Sequence, residues 1–207
     1  MTLALPAPPT PAPKRTMLVA TGFAVAAGTA YFGSLLGVYL QVRDDALDAL
    51  LAQQDADPAT VVRFLPPDVI VPEIATNTIL ITLVGAVLLA QWAVYAMKRG
   101  QRNQTAIALV LCAVFGLAAL NSQAYTWSQM GVGINDAGAF GPVFYAVTGS
   151  FAAALVIGII HTAVTAFRSL GGRYSAADTE GLASHALVWY FLVAAYSALW
   201  LVVYVNK

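Results

Sequence analysis

The chain has 207 residues, 59% of them hydrophobic, with ten basic and ten acidic side chains and charge on only 10% of positions. A soluble domain carries about 25% charged residues. That deficit, with a mean hydropathy of +0.74, assigns the chain to a membrane, and its zero net charge excludes the broad positive field that recognises nucleic acid.

Residues 1–15, MTLALPAPPTPAPKR, contain five prolines and no amphipathic period, so they predict an extended tail. The basic pair Lys14-Arg15 abuts the first apolar run and reads as a cytoplasmic anchor rather than part of a secretory signal. The remainder, 16–207, forms one membrane domain with spans expected at about 17–41, 76–98, 104–129, 140–168 and 182–205. About 20 helical residues cross a hydrocarbon core of roughly 30 Å, and each of these runs reaches that length.

The first span is rich in small residues (Gly22, Ala26, Ala27, Gly28, Gly33, Gly37), with Tyr39 and Arg43 at its far end. The acidic segment 44–73 follows. Its DDALDALLAQQ piece predicts a short surface helix and FLPPDVIVP an extended loop, together either a solvated linker or a docking surface for a basic partner. Thr76-Asn77-Thr78 open the second span as candidate caps, and Lys98-Arg99 close it where cations complement the helix dipole. A short turn makes the second and third spans an antiparallel hairpin. The third turns polar at its end (NSQAYTWSQM, 121–130), placing Asn121 and Gln123 as groups that hydrogen-bond a neighbouring helix. The uncharged fourth span carries Gly149, Ala152, Ala153, Ala154 and Gly158, a flank that lets another backbone approach closely. The fifth begins with Ser184 and His185 and has an aromatic flank from Trp189 to Tyr204.

Lys and Arg fix the orientation. Lys14, Arg15, Lys98, Arg99, Arg102, Arg168 and Arg173 lie on one side, and Arg43, Arg63 and Lys207 on the other, so the N-terminus is expected in the cytoplasm and the C-terminus outside.

No span has Asp, Glu, Lys or Arg in its central part, although pumps and ion carriers need ionisable groups there. His161 and His185 sit near the cytoplasmic end of adjacent spans. They read first as hydrogen-bonded packing residues, and second as a bis-His haem pair, which requires imidazoles at similar depth. Cys112, alone in an apolar run, reads as a packing residue. There is no Cys/His cluster with zinc or haem spacing, Gly-rich phosphate loop, HExxH or GxSxG.

Three stretches carry a resemblance. The first is FLPPDVIVPEIATNTILITLVGAVLLAQWAVYAMKRG. The second, Gln123-Ala-Tyr125-Thr-Trp127, is similar to a Gln-x-Tyr-Glu-Trp helix end. The third, Phe144-Tyr145-Ala-Val-Thr148-Gly149, is similar to a Phe-Tyr-x-x-Thr-Gly signature. In their order and spacing, and with Trp189 and Phe191 in the last helix, they resemble subunit III of the haem-copper oxidases in its shorter five-helix bacterial form, over about 17–205. The departures fall on the polar groups. Ala27-Gly28 stand where the family has Ser-Glu, Thr126 stands at the Glu, Phe151 and Ala154 replace two histidines, and Tyr190 and Val193 stand in the final Trp-His-Phe-x-Asp.

The resemblance implies an all-α bundle of five transmembrane helices with a lipid-filled cleft between the first two helices and the other three. It implies a non-redox accessory subunit of a proton-translocating terminal oxidase that passes electrons from cytochrome c to oxygen in the bacterial plasma membrane. Haem and copper would reside in partner subunits I and II, with cytochrome c or a larger supercomplex as further partners and phospholipid bound. No catalytic, metal or cofactor residue is expected in this chain. The scaffold carried over is Asn77, Gln123, Tyr125, Phe144, Tyr145, Thr148, Gly149 and Trp189, with Trp92 and Trp127 as further candidate lipid contacts. An accessory subunit of a nitric oxide reductase and a small transporter are the alternatives.

Overall fold

The computed structural model describes residues 15–57, 59, 62–135 and 137–206. Apart from Arg15, the tail expected over 1–15 lies outside them. Among the described residues five helices are long and apolar enough to cross a membrane: α1 Thr16–Ala56, α2 Glu73–Lys98, α3 Arg102–Met130, α4 Phe140–Leu170 and α5 Glu180–Leu199, which continues into a π-helical turn, Trp200–Val205. No strand occurs among the described residues. In lipid every backbone N–H must be satisfied inside the chain, and uninterrupted helices do this. Glycines stop two of them. Gly100, just past α2, and Gly131, capping α3, take φ of 73° and 59°, where a side chain would clash.

The fifth helix is the hub, packing on α1, α2 and α4, while α3 lies between α2 and α4. Close approach depends on missing side chains. A Cβ on Gly116 of α3 would come within 2.7 Å of the Trp189 ring, and one on Gly158 of α4 within 2.6 Å of Leu192 Cδ1. At the end of the bundle where α4 begins, Phe64 of the 62–72 loop wedges between Tyr39 of α1 and Phe140 of α4, its ring centroid 5.7 Å from the first and 5.4 Å from the second. Such edge contacts add about 0.5–1.5 kcal/mol each beyond buried area.

The structure corrects several expectations. The first two helices do not form a unit opposed to the other three. Instead α1 packs on α4 and α5, and α2 on α3 and α5, so α5 separates α1 from α2. Nor does α1 end near residue 41 before a separate surface helix. It runs unbroken through 41 residues, about 60 Å, twice the hydrocarbon thickness. Nothing in DDALDALLAQQ breaks a helix, and Val42, Ala46 and Leu47 still pack on the core. Thr76, Asn77 and Thr78 do not cap α2, which starts at Glu73 after Pro72 with no side-chain cap. Pro cannot continue a helix backwards through its missing N–H, so the boundary falls there. Thr76 and Thr78 instead donate back to the carbonyls of Glu73 and Ile74.

Two polar clamps hold α1. Glu180 Oε1 accepts the Leu18 N–H at 3.0 Å, satisfying one of the orphan donors of the first turn of α1. Further along the helix, well before its end at Ala56, Arg43 Nη1 donates to the Asn206 carbonyl at 3.1 Å.

Gly141 offers a test of the fold. A Cβ there would lie 2.6 Å from the Ile134 carbonyl oxygen and 2.7 Å from that of Gly133, both backbone, whereas a Cβ on Gly149 meets nothing. Gly141→Ala is expected to destabilise the bundle by about 1–3 kcal/mol, read as a lower thermal midpoint in detergent, and Gly149→Ala to leave that midpoint unchanged.

Candidate functional site

The polar end of α3 folds onto the start of α4 through neutral hydrogen bonds. The Trp127 indole donates to Thr148 Oγ1 at 3.1 Å, and Thr148 donates onward to the Phe144 carbonyl at 2.7 Å. Tyr145 reaches back with its hydroxyl to the Val132 carbonyl at 2.8 Å, closing the α3–α4 loop, and its ring packs 5.9 Å from Trp127. Phe144, fully buried, stacks on Phe140 at 5.2 Å and meets Tyr204 edge-on at 6.2 Å. Gln123 is also fully buried, its Nε2 donating to the Tyr204 hydroxyl at 3.4 Å. The structure thus gathers Gln123, Trp127, Phe144, Tyr145 and Thr148 into one cluster.

Other candidates stand apart. Asn77 accepts from the Trp200 indole at 3.0 Å, pinning the π-helical turn to α2. Tyr125 is exposed and lines a cavity of about 780 Å³ under the 62–72 loop, beside Arg63 and Asn121. Trp92 lies half-buried against the core. Gly149, expected in a close-packed flank, faces open space. The close approach on α4 is made by Gly158 instead.

Trp189 forms a second centre, towards the other end of the bundle. Its indole N–H, a donor only, is shared between Thr162 Oγ1 at 3.0 Å and His185 Nε2 at 3.1 Å. Thr162 Oγ1 is 3.0 Å from the same Nε2 and donates to the Gly158 carbonyl at 2.8 Å. The His161 and His185 rings lie 5.6 Å apart, at similar depth. The Nε2 that would face a haem iron is occupied by Thr162 and Trp189, so this pair is a packing arrangement. Cys112 is buried, its thiol directed at the Ala86 carbonyl at 3.4 Å. Among the described residues no group of three or more His, Cys, Asp or Glu could hold a metal ion. Both centres can orient and hold helices together, and the one hydroxyl–imidazole contact between them, Thr162 with His185, is fully buried.

Sequence reasoning named Trp189, His161 and His185 separately and missed Thr162, the residue that ties the knot. The mid-span threonine adjoining His161 was the available signal. It placed Tyr196 and Tyr204 only in an aromatic flank and missed their hydrogen bonds, in which Tyr204 accepts from Gln123 and the Tyr196 hydroxyl donates to the Thr76 carbonyl at 2.9 Å.

The sequence matches the family described as cytochrome c oxidase subunit III over residues 50–207. The chain belongs to that family. The matched region begins in the last turns of α1, while the resemblance read from the sequence extended back to about residue 17. Among relatives, cytochrome c oxidase subunit 3 of Chondrus crispus is 28% identical over 130 residues, 63% of this chain and 45% of that protein. The probable cytochrome c oxidase subunit 3 of Rickettsia conorii is 28% identical over 134 residues, 65% of this chain and 45% of that protein. Cytochrome c oxidase subunit 3 of Yarrowia lipolytica is 30% identical over 128 residues, 62% of this chain and 47% of that protein. The chain spans about half the length of the curated relatives it matches. Within the family it is an all-α, multi-pass membrane protein.

The Trp189 knot yields a prediction. Trp189→Phe keeps an aromatic ring but removes the shared donor and part of the buried indole, and is expected to destabilise the protein by about 1–3 kcal/mol. Trp127→Phe should cost less, because Trp127 is half-buried and Thr148 keeps its bond to Phe144. Thermal unfolding followed by near-UV circular dichroism separates the two.

Proposed function

We propose that the chain is a non-redox accessory subunit of a proton-translocating terminal oxidase, bracing the catalytic subunit and holding phospholipid beside it. The family match over residues 50–207 carries this reading. The site geometry supports it, since both polar centres are neutral hydrogen-bond knots suited to rigidity. Haem and copper belong to subunits I and II in this reading, and electrons pass from cytochrome c to oxygen through those partners. The membrane is the bacterial plasma membrane, with the end bearing Arg15, Lys98 and Arg168 in the cytoplasm.

The apolar faces exposed on the outside of the bundle have the character of helix surfaces that meet lipid or another membrane subunit. On α3, Ile107, Val110, Leu111, Val114 and Leu117 are such residues, and on α4 Ile157, Ile160 and Val164.

Affinity capture of the full chain from its own membranes in mild detergent is expected to bring down a haem-bearing catalytic subunit, seen as a haem absorption spectrum and identified by mass spectrometry. Recovery of the chain with no haem-bearing partner would overturn the assignment. The orientation has its own test. With Cys112 buried, a membrane-impermeant thiol reagent on intact cells should label Asp48→Cys, and should label Arg173→Cys only after permeabilisation.

A further inference from the structure

Lys98 at the end of α2 and Ala183 in the first turn of α5 line one cavity, so these two points stand at one level of the bundle. Gln91 lies seven residues inside Lys98 on α2, and Tyr190 seven residues inside Ala183 on α5. Seven residues make two helical turns and about 10 Å of rise, which returns a side chain to the side it started from. Gln91 and Tyr190 therefore stand at one depth, on the sides of their helices that border the cavity. A link at the far end fixes the same register. Asn77, two heptads before Gln91, accepts from the Trp200 indole of α5 at 3.0 Å. This side of the bundle looks outwards. Leu88 and Tyr95, the neighbours of Gln91 on the surface of α2, are 67% and 54% exposed, Gln91 is half-buried between them, and Tyr190 is 46% exposed.

Neither polar group is answered. Among the described residues the Gln91 carboxamide makes no hydrogen bond, and neither does the Tyr190 hydroxyl. Both lie within a hydrocarbon core of roughly 30 Å. Apolar surface at this depth meets lipid as well as it meets protein, so Leu88 and Tyr95 call for no partner. A carboxamide does, because acyl chains offer it neither donor nor acceptor. Copies of one membrane chain insert the same way round, and a two-fold axis along the membrane normal brings residues of equal depth together. A carboxamide and a phenol each donate and accept, so a face that carries both at one depth is complementary to itself. We infer that two copies of the chain meet on the α2–α5 face, each Gln91 carboxamide hydrogen-bonding the partner's Gln91 and the partner's Tyr190. A helix from a different protein would have to supply a matching polar group at this depth. A second copy supplies it by symmetry.

This goes beyond the proposed function and does not rest on it, since the exposed α3 and α4 faces stay free for a catalytic subunit. The test uses the purified full chain with Arg173→Cys carrying a donor or an acceptor dye, while Cys112 stays buried. Reconstituted in phosphatidylcholine vesicles at graded protein-to-lipid ratios, the chain should show energy transfer that follows a monomer–dimer curve. Gln91→Leu, which removes the carboxamide and keeps the bulk, should weaken the association about tenfold or more, because symmetry removes the bond twice. Tyr190→Phe should weaken it less. In a second measurement, copper-phenanthroline oxidation should join Leu88→Cys copies by a disulfide and leave Ile157→Cys copies, from the exposed face of α4, unjoined. Transfer no greater than random crowding gives at every ratio overturns the inference, even if every variant fails to fold. So does a Gln91→Leu chain that associates as tightly as the unaltered one, or Leu88→Cys copies joined no more than Ile157→Cys copies. A chain that pairs in this way but captures no haem-bearing partner would overturn the accessory-subunit reading and leave this one standing.

Discussion

The indole N–H of Trp189 must find an acceptor inside a bundle that offers it no water, and much of the interior follows from how it does so. In a hydrocarbon surround an unsatisfied donor costs several kcal/mol. The acceptors come from α4, through Thr162, and from the preceding turn of α5, through His185. That choice fixes the register of α4 against α5. The same ring needs room, which α3 supplies at Gly116, and the next turn of α5 needs room for Leu192, which α4 supplies at Gly158. Three helices are therefore keyed to one side chain.

The first helix is held differently. Most of its surface is exposed, and its large anchors are Phe32, Leu36 and Tyr39. It is fastened by Glu180 at its first turn and by its own Arg43 within its length, each bond answering a backbone group that a helix terminus leaves open. A helix attached at these two points and along one narrow strip leaves a long flank open. That open flank follows from the separation of α1 and α2, where the sequence had implied a cleft between the first two helices and the rest.

The departures from the family signature acquire a physical meaning in this setting. Where the family has ionisable groups within the membrane, this chain has Gly28, Thr126, Phe151, Ala154, Tyr190 and Val193. Thr126 is buried and answers its own helix at the Ser122 carbonyl, the Phe151 ring packs at a tilt against Tyr196 at 5.0 Å, and Gly28 leaves the space that the Phe191 ring occupies. Neutral packing takes these three places without a buried charge to solvate, while Tyr190 lies exposed. Such packing suits the bracing role proposed for the chain.

Length, uncharged runs and Pro/Gly punctuation determined the number of helices, their order and most of their ends, because these depend on local hydropathy and on which residues cannot continue a helix. The residues worth naming were also visible in Gln123, Trp127, Thr148 and Trp189, since polar groups in a span demand partners. The partners themselves were decided only in three dimensions. Trp127 with Thr148 and Asn77 with Trp200 join residues from different helices, and helical periodicity sets which way a side chain points but not which helix stands opposite. The same limit explains Gly149 and Gly158. Both are small residues on one span, and only the packing of α5 makes the second a contact and leaves the first open.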